Sequence, residues 1–334
     1  MISKLKRIGA ALVFALLLPR TAGAAEKVSF ALNWIPYGLH LGVYAAAAEG
    51  FYKAKGIDIH ISRGFGSGDT AKRIAAGAED FGLADADSVI LARAKGLPLK
   101  MVAMILARSP DIVYYLKGKG IKTLKDLAGH SAGTSVGGAP LLLFPALAKA
   151  AGLDRARVRL VYMPPSAFAA SLASGRVDAL FTFATLEPSI MKAAREGGVK
   201  IGKFPYSDYG IDPYSVGVVT NDATIKNHPR LVRRVVAATI EGYAWAVQNP
   251  AAAAALFVKR FPSASAAVTE AQFAVVLRHM MTPLTQKEGL GSIDRKKMAR
   301  TIALIDGYAH FQKKPTPKEV YTMKFLPFIA AKGN

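Results

Sequence analysis

The sequence contains no cysteine, which excludes disulfides, a thiolate metal site and a cysteine nucleophile. It also lacks an apolar run of the roughly 20 residues needed to cross a bilayer. Acidic residues are scarce: 23 Asp and Glu stand against 44 Lys and Arg, for a formal net charge of +21. That excess is spread along the chain in no block of five or six, so it reads as a solvated basic surface and gives no reason to expect a nucleic-acid partner. The six histidines, His40, His60, His130, His228, His279 and His310, form no i, i+4 pair and have no carboxylate cluster beside them, so no metal site and no cofactor are expected. Neither a dinucleotide fingerprint nor a phosphate-binding loop occurs, because the alternating glycines of Gly64-Phe65-Gly66-Ser67-Gly68 match neither spacing.

What is present begins with a processing signal. Lys4, Lys6 and Arg7 precede the apolar run Ile8 to Pro19, and Ala22-Gly23-Ala24 supplies small residues for a peptidase. Residues 1–24 are therefore expected to be a cleaved signal peptide, and the mature protein to be exported to the periplasm. The remaining chain is rich in aliphatics and long enough for two domains of ordinary size.

Strand and helix patterns alternate from Val28 onward. Short apolar strands are predicted at 28–32, 57–61, 80–84, 99–106, 111–116, 130–135, 158–162, 177–183 and 215–220, with helices between most of them. Everything after His228 reads as helical. The pattern predicts an α/β protein of two lobes, each a mostly parallel sheet flanked by helices: residues 25–112 plus 215–334 in lobe I and 113–214 in lobe II.

Candidate site residues lie where predicted strands end, which is where open α/β sheets hold ligands. The first strand runs into Asn33-Trp34-Ile35-Pro36-Tyr37, and His40 heads the next helix, either as a structural helix end or as a ligand contact. Asp85 closes the strand 80–84, and Asp87 or Ser88 is expected to cap the helix that follows. Gly133-Thr134-Ser135-Val136-Gly137 satisfies the G-x-S-x-G pattern of a hydrolase nucleophile, with His279 or His310 downstream. The other reading of Ser135, Gly137 and Gly138 is a glycine-rich helix entrance whose amides meet a ligand or only form a turn. Glu187 either caps a helix or accepts N–H groups from a ligand. Tyr209 and Tyr214 join Trp34 and Tyr37 as loop aromatics suited to stacking on a flat ring.

Several segments carry a resemblance. Leu32-Asn33-Trp34-Ile35-Pro36, Glu49-Gly50-Phe51-Tyr52, Asp80-Phe81-Gly82, Leu124-Lys125-Asp126-Leu127, Ser174-Gly175-Arg176-Val177-Asp178 and Glu187-Pro188 resemble the NMT1/THI5-like periplasmic binding proteins, solute receptors of ABC importers. The resemblance implies a type II binding-protein fold, a small-molecule ligand, an inner-membrane permease as partner, a monomer, and no catalysis. It implies that Trp34 stacks on the ligand, that Asn33 and His40 line the pocket, and that Glu187 meets a pyrimidine amino group. Two departures stand out. Tyr37 replaces the Asn usual in pyrimidine binders, and Gly137-Gly138-Ala139 lacks the hydroxyl usual in sulfonate receptors. The expected ligand is a small, flat, nitrogen-containing aromatic such as a thiamine-precursor pyrimidine. Riboflavin, an aromatic carboxylate or a sulfonate are the alternatives on the same fold, and a serine hydrolase using Ser135 is the alternative of another class.

Overall fold

The computed structural model describes residues 25–330, so the expected signal peptide at 1–24 lies outside the described residues. Two five-stranded sheets organise the chain. The first is ordered β2 (Ile57–Ser62), β1 (Glu26–Ala31), β3 (Phe81–Asp85), β10 (Val216–Asn221) and β4 (Leu99–Met104). The second is ordered β7 (Arg159–Tyr162), β6 (Ser131–Thr134), β8 (Ala179–Phe183), β5 (Asp111–Leu116) and β9 (Ile201–Pro205). In each sheet one strand runs against the rest. β10 is antiparallel to both β3 and β4, and β5 is antiparallel to both β8 and β9. These two strands follow the two passages of the chain between sheets, so each crossing inserts a reversed strand into an otherwise parallel array. The result is the expected two-lobed α/β architecture.

The continuous apolar runs at 101–104 and 216–219 fit strands covered on both faces. The helix Leu41–Ala48 is almost uniformly apolar, and it is buried against the long helix Pro229–Gln248. This packing depends on two glycines. A Cβ at Gly242 would come within 2.2 Å of the Gly42 carbonyl oxygen, and one at Gly42 would strike the Tyr243 ring at 2.3 Å. The Tyr243 hydroxyl then donates to the Leu39 carbonyl at 2.9 Å.

Three expectations need correction. Strand β9 was not predicted, because its five residues alternate only loosely and end at Pro205. The C-terminal part is not wholly helical: Gly291 and Tyr321 form bridges with Met104 and Met101 of β4. Nor does it belong to the first lobe alone, because Leu304 and Tyr308 of the helix Arg295–Ala309 pack against the core of the second.

Gly242→Ala should lower stability by about 1–3 kcal/mol, since backbone rather than a flexible side chain opposes the added methyl. Urea unfolding would show this as a lower midpoint with an unchanged slope.

Candidate functional site

The loop after β1 is held by a chain of hydrogen bonds running inward from its aromatic residues. The Tyr37 N–H donates to His40 Nδ1 at 3.2 Å, which leaves Nε2 carrying the proton toward Asn33 Oδ1, 3.0 Å away. Burial pushes the His40 ring down to about pKa 3, in keeping with this neutral tautomer. Asn33 in turn stands beside the Asp85 carboxyl and favours its charged form. Asp85 also accepts from the hydroxyls of Ser67 at 2.5 Å and Ser215 at 2.6 Å. Both ring nitrogens of His40 and the side chain of Asn33 are therefore spent on supporting the loop.

The backbone of the same loop is clamped from the side. Gly64 N–H donates to the Trp34 carbonyl and Gly66 N–H to the Asn33 carbonyl, each at 3.0 Å. A Cβ on Gly64 would lie 2.1 Å from the Leu32 carbonyl oxygen, so only glycine permits this approach.

Trp34 is thereby presented to the second lobe, where it meets Phe183 edge-on at 6.2 Å between centroids. One face of the loop opens on a cavity of about 380 Å³ between the lobes. Trp34, Ile35 and Arg63 to Phe65 form its first wall; Ser135, Val136 and Tyr162 to Pro165 form the second. Its mouth is markedly apolar, with Phe65, Val136 and Tyr162 exposed at 63%, 72% and 56%. The volume lies in the range of small-molecule sites. A second space of about 390 Å³ lies beyond Pro36 and Tyr37, but its polar groups are committed. Gln272 there accepts from the Gly38 N–H at 2.9 Å and donates to Ser189 at 2.8 Å. Tyr37 reaches across as well, its hydroxyl 3.2 Å from that of Thr185. These contacts tie the lobes together and leave the Trp34 cavity as the better candidate.

The structure does not bring the other predicted residues into this cavity. Tyr214 is buried, its hydroxyl accepting from the Asp294 N–H at 2.7 Å, with Lys297 5.3 Å from its ring. Tyr209 packs against the second lobe's core, away from Trp34. Glu187 starts the helix Glu187–Glu196 and pairs with Lys203 at 2.9 Å; it lines neither space. The Gly138 N–H is taken by the Ser135 carbonyl at 3.4 Å, and the Gly137 carbonyl closes on Gly66, so these residues form a turn and an interlobe contact. A Cβ on Gly138 would sit 2.9 Å from Ser135 Oγ, so that glycine makes room for the hydroxyl. No histidine hydrogen bonds to Ser135 among the described residues, and His130 lies 3.5 Å from Asp178 at the other end of β6, so no triad assembles. The residue heading the helix Ala86–Ala94 is Asp85, without a side-chain cap, in place of Asp87 or Ser88. Arg63, Phe65, Tyr162 and Gln272 were missed: the first three sit in loops or at a strand end without periodic signal, and Gln272 is hidden in a helix.

Comparison with known proteins follows from this geometry. The NMT1/THI5-like family matches residues 38–253. The chain belongs to that family. It is 26% identical over 307 residues to a formylaminopyrimidine-binding protein of Halalkalibacterium halodurans, covering 90% of each. It is also 26% identical to the riboflavin-binding protein RibY of Chloroflexus aurantiacus, over 92% of this chain and 88% of that one. Among solved structures, the periplasmic aliphatic sulphonate binding protein SsuA of Escherichia coli superposes with a TM-score of 0.66 at 20% identity. That match covers 88% of this chain and 96% of SsuA, and it identifies the fold as that of periplasmic binding proteins.

Beneath the loop lie further buried carboxylates. Burial and the Asp85 charge raise Asp87 to about pKa 7, and burial raises Asp111 well above the carboxylate range. Asp87 and His40 act oppositely on stability. Below about pH 6.5 the unfolded chain protonates His40 while the fold does not, so acidification destabilises through His40. Over the same range the fold protonates Asp87 while the unfolded chain does not, so acidification stabilises through Asp87. Asp87→Asn removes the second effect alone. Between about pH 6 and 4.5 its stability should fall on acidification more steeply than that of the wild type, by about 1.4 kcal/mol per pH unit, in denaturant titrations at several pH values.

Proposed function

We propose that this chain is the exported, periplasmic solute receptor of an ABC importer, acting as a monomer without a cofactor and without catalysing a reaction. Residues 25–112 with 215–334 form one lobe and 113–214 the other, with the helix Arg295–Ala309 of the first packing across onto the second. A small, flat aromatic solute lies against Trp34 in the interlobe cavity and is presented to an inner-membrane permease. The observation that carries this reading is the cavity itself: an indole wall fixed by Asn33, His40 and Gly64, faced by residues of the other lobe. The family membership supports it, as do relatives across the whole chain that bind flat nitrogen-containing rings. A nitrogen heterocycle of that size is accordingly the first candidate solute.

The lobes would part to admit the solute and close by rotation about the two crossings. The contacts Tyr37 to Thr185 and Gln272 to Ser189 would then form on closure and slow its release.

Isothermal titration against formylaminopyrimidine, hydroxymethylpyrimidine, riboflavin and aromatic carboxylates tests the proposal. One or more ring compounds should bind with unit stoichiometry. Trp34→Ala should weaken that binding roughly tenfold or more at a temperature where circular dichroism shows the variant folded, and should also lower the melting temperature, because the indole is buried in the core. Binding of an alkyl sulfonate with silence toward every ring compound would sink the reading.

A further inference from the structure

Several side chains around the Trp34 cavity have hydrogen-bonding capacity left over. The Trp34 indole N–H is buried and has no partner among the described residues. An orphaned buried donor of this kind carries a desolvation cost that an acceptor on a ligand would remove. Arg63 forms no ion pair among the described residues, and its guanidinium carbon lies 4.6 Å from the Phe65 ring centroid. Stacking on Phe65 holds the guanidinium at the cavity edge without using its N–H groups. Ser135 lines the opposite wall, its hydroxyl given space by Gly138.

Charged acceptors, by contrast, are missing. No Asp or Glu lines the cavity, and Glu187, the carboxylate expected to meet a ligand N–H, is engaged with Lys203. An indole N–H, a guanidinium and a hydroxyl suit a ligand edge rich in acceptors and negatively charged. An edge of amino donors would meet only the neutral hydroxyls of Ser135 and Tyr162 and would set no negative charge against Arg63.

We propose that the solute is an aromatic carboxylate, its ring against Trp34 and its carboxylate held by Arg63 with help from Ser135. The inference rests on the reading of this cavity as the solute site and specifies its chemistry. It separates the solute from the neutral aminopyrimidines, which bring no negative charge to Arg63.

Matched acids and amides provide the test, since the two have nearly the same shape and differ in charge. Benzoate, nicotinate and pyrimidine-5-carboxylate are titrated calorimetrically beside their carboxamides into the mature wild-type chain and into Arg63→Gln. At least one acid should bind about tenfold or more tightly than its amide. Arg63→Gln should abolish that preference while leaving the amide's affinity within about twofold, and the loss should be mirrored by raising the ionic strength with wild type. Equal affinities for acid and amide, or an equal loss of both in Arg63→Gln, would overturn the carboxylate assignment while leaving the cavity as the site. Absence of binding by all six compounds overturns the assignment too. If Trp34→Ala leaves the binding of these rings unchanged, the reading of the cavity falls with it. Because Arg63 is exposed and unpaired, Arg63→Gln should keep the wild-type melting temperature, so a loss of affinity reports on the site.

Discussion

The Asp85 carboxylate is the point on which the site depends. It lies almost fully buried at the carboxyl end of β3, where an unpaired charge would cost several kcal/mol. Three chain segments relieve that cost: Ser67 from the start of the helix Ser67–Ala75 and Ser215 from the second crossing donate to it, and Asn33 of the loop after β1 stands beside it and favours its charged form. Each segment does something else as well. Asn33 passes the constraint through His40 to the Tyr37 backbone. Ser67 fixes the end of the Arg63 to Gly66 loop, which lines the cavity. Ser215 holds the return of the chain from the second lobe. One buried acceptor thus sets the relative positions of the ring wall, the basic edge and a hinge strand.

Glycine completes what the carboxylate begins. Gly64 lets the second loop lie directly on the backbone of the first, and the two amides from Gly64 and Gly66 lock it there. Trp34 is therefore supported from below by hydrogen bonds and from the side by backbone, and its ring is buried in the hydrophobic core. A rigid aromatic wall of this kind loses little freedom when a ring is laid on it, which is the economical way to bind a small planar solute. The second lobe is joined to this wall through Thr185 and Ser189 by single hydrogen bonds, of the modest strength that the proposed reversible closure would need.

Much of the frame was legible in the sequence because buried parallel strands and intervening helices leave plain periodic traces. Nine of the ten strands, β1 to β8 and β10, were read in order. The direction of β5 and β10 was not, since apolar content says that a strand is buried and nothing about its polarity. β9 escaped because an edge strand of five residues carries little hydrophobic signal. Within the site, Trp34 was found through its position after a strand, and Asn33 and His40 were found but assigned to the ligand when the fold uses them as supports. Tyr209 and Tyr214 misled for a related reason: a tyrosine in a turn looks available until its hydroxyl and ring are seen packed. Arg63, Phe65 and Tyr162 had the opposite fate, because an exposed arginine or aromatic in a loop looks like ordinary surface until the other lobe is placed opposite it.

This division explains how one fold can serve unlike solutes. The interactions that build the frame, from Asp85 through His40 to the indole, are buried and mutually dependent, so changing one disturbs the others. Arg63, Phe65, Tyr162 and Pro164, which line the cavity, are exposed and make few internal bonds, so they can change at small cost to stability. A receptor of the proposed kind can therefore alter its polar edge while keeping its indole wall. The charge of the solute has to be read from the loops, where Arg63 stands without a counter-ion and no carboxylate faces the ring.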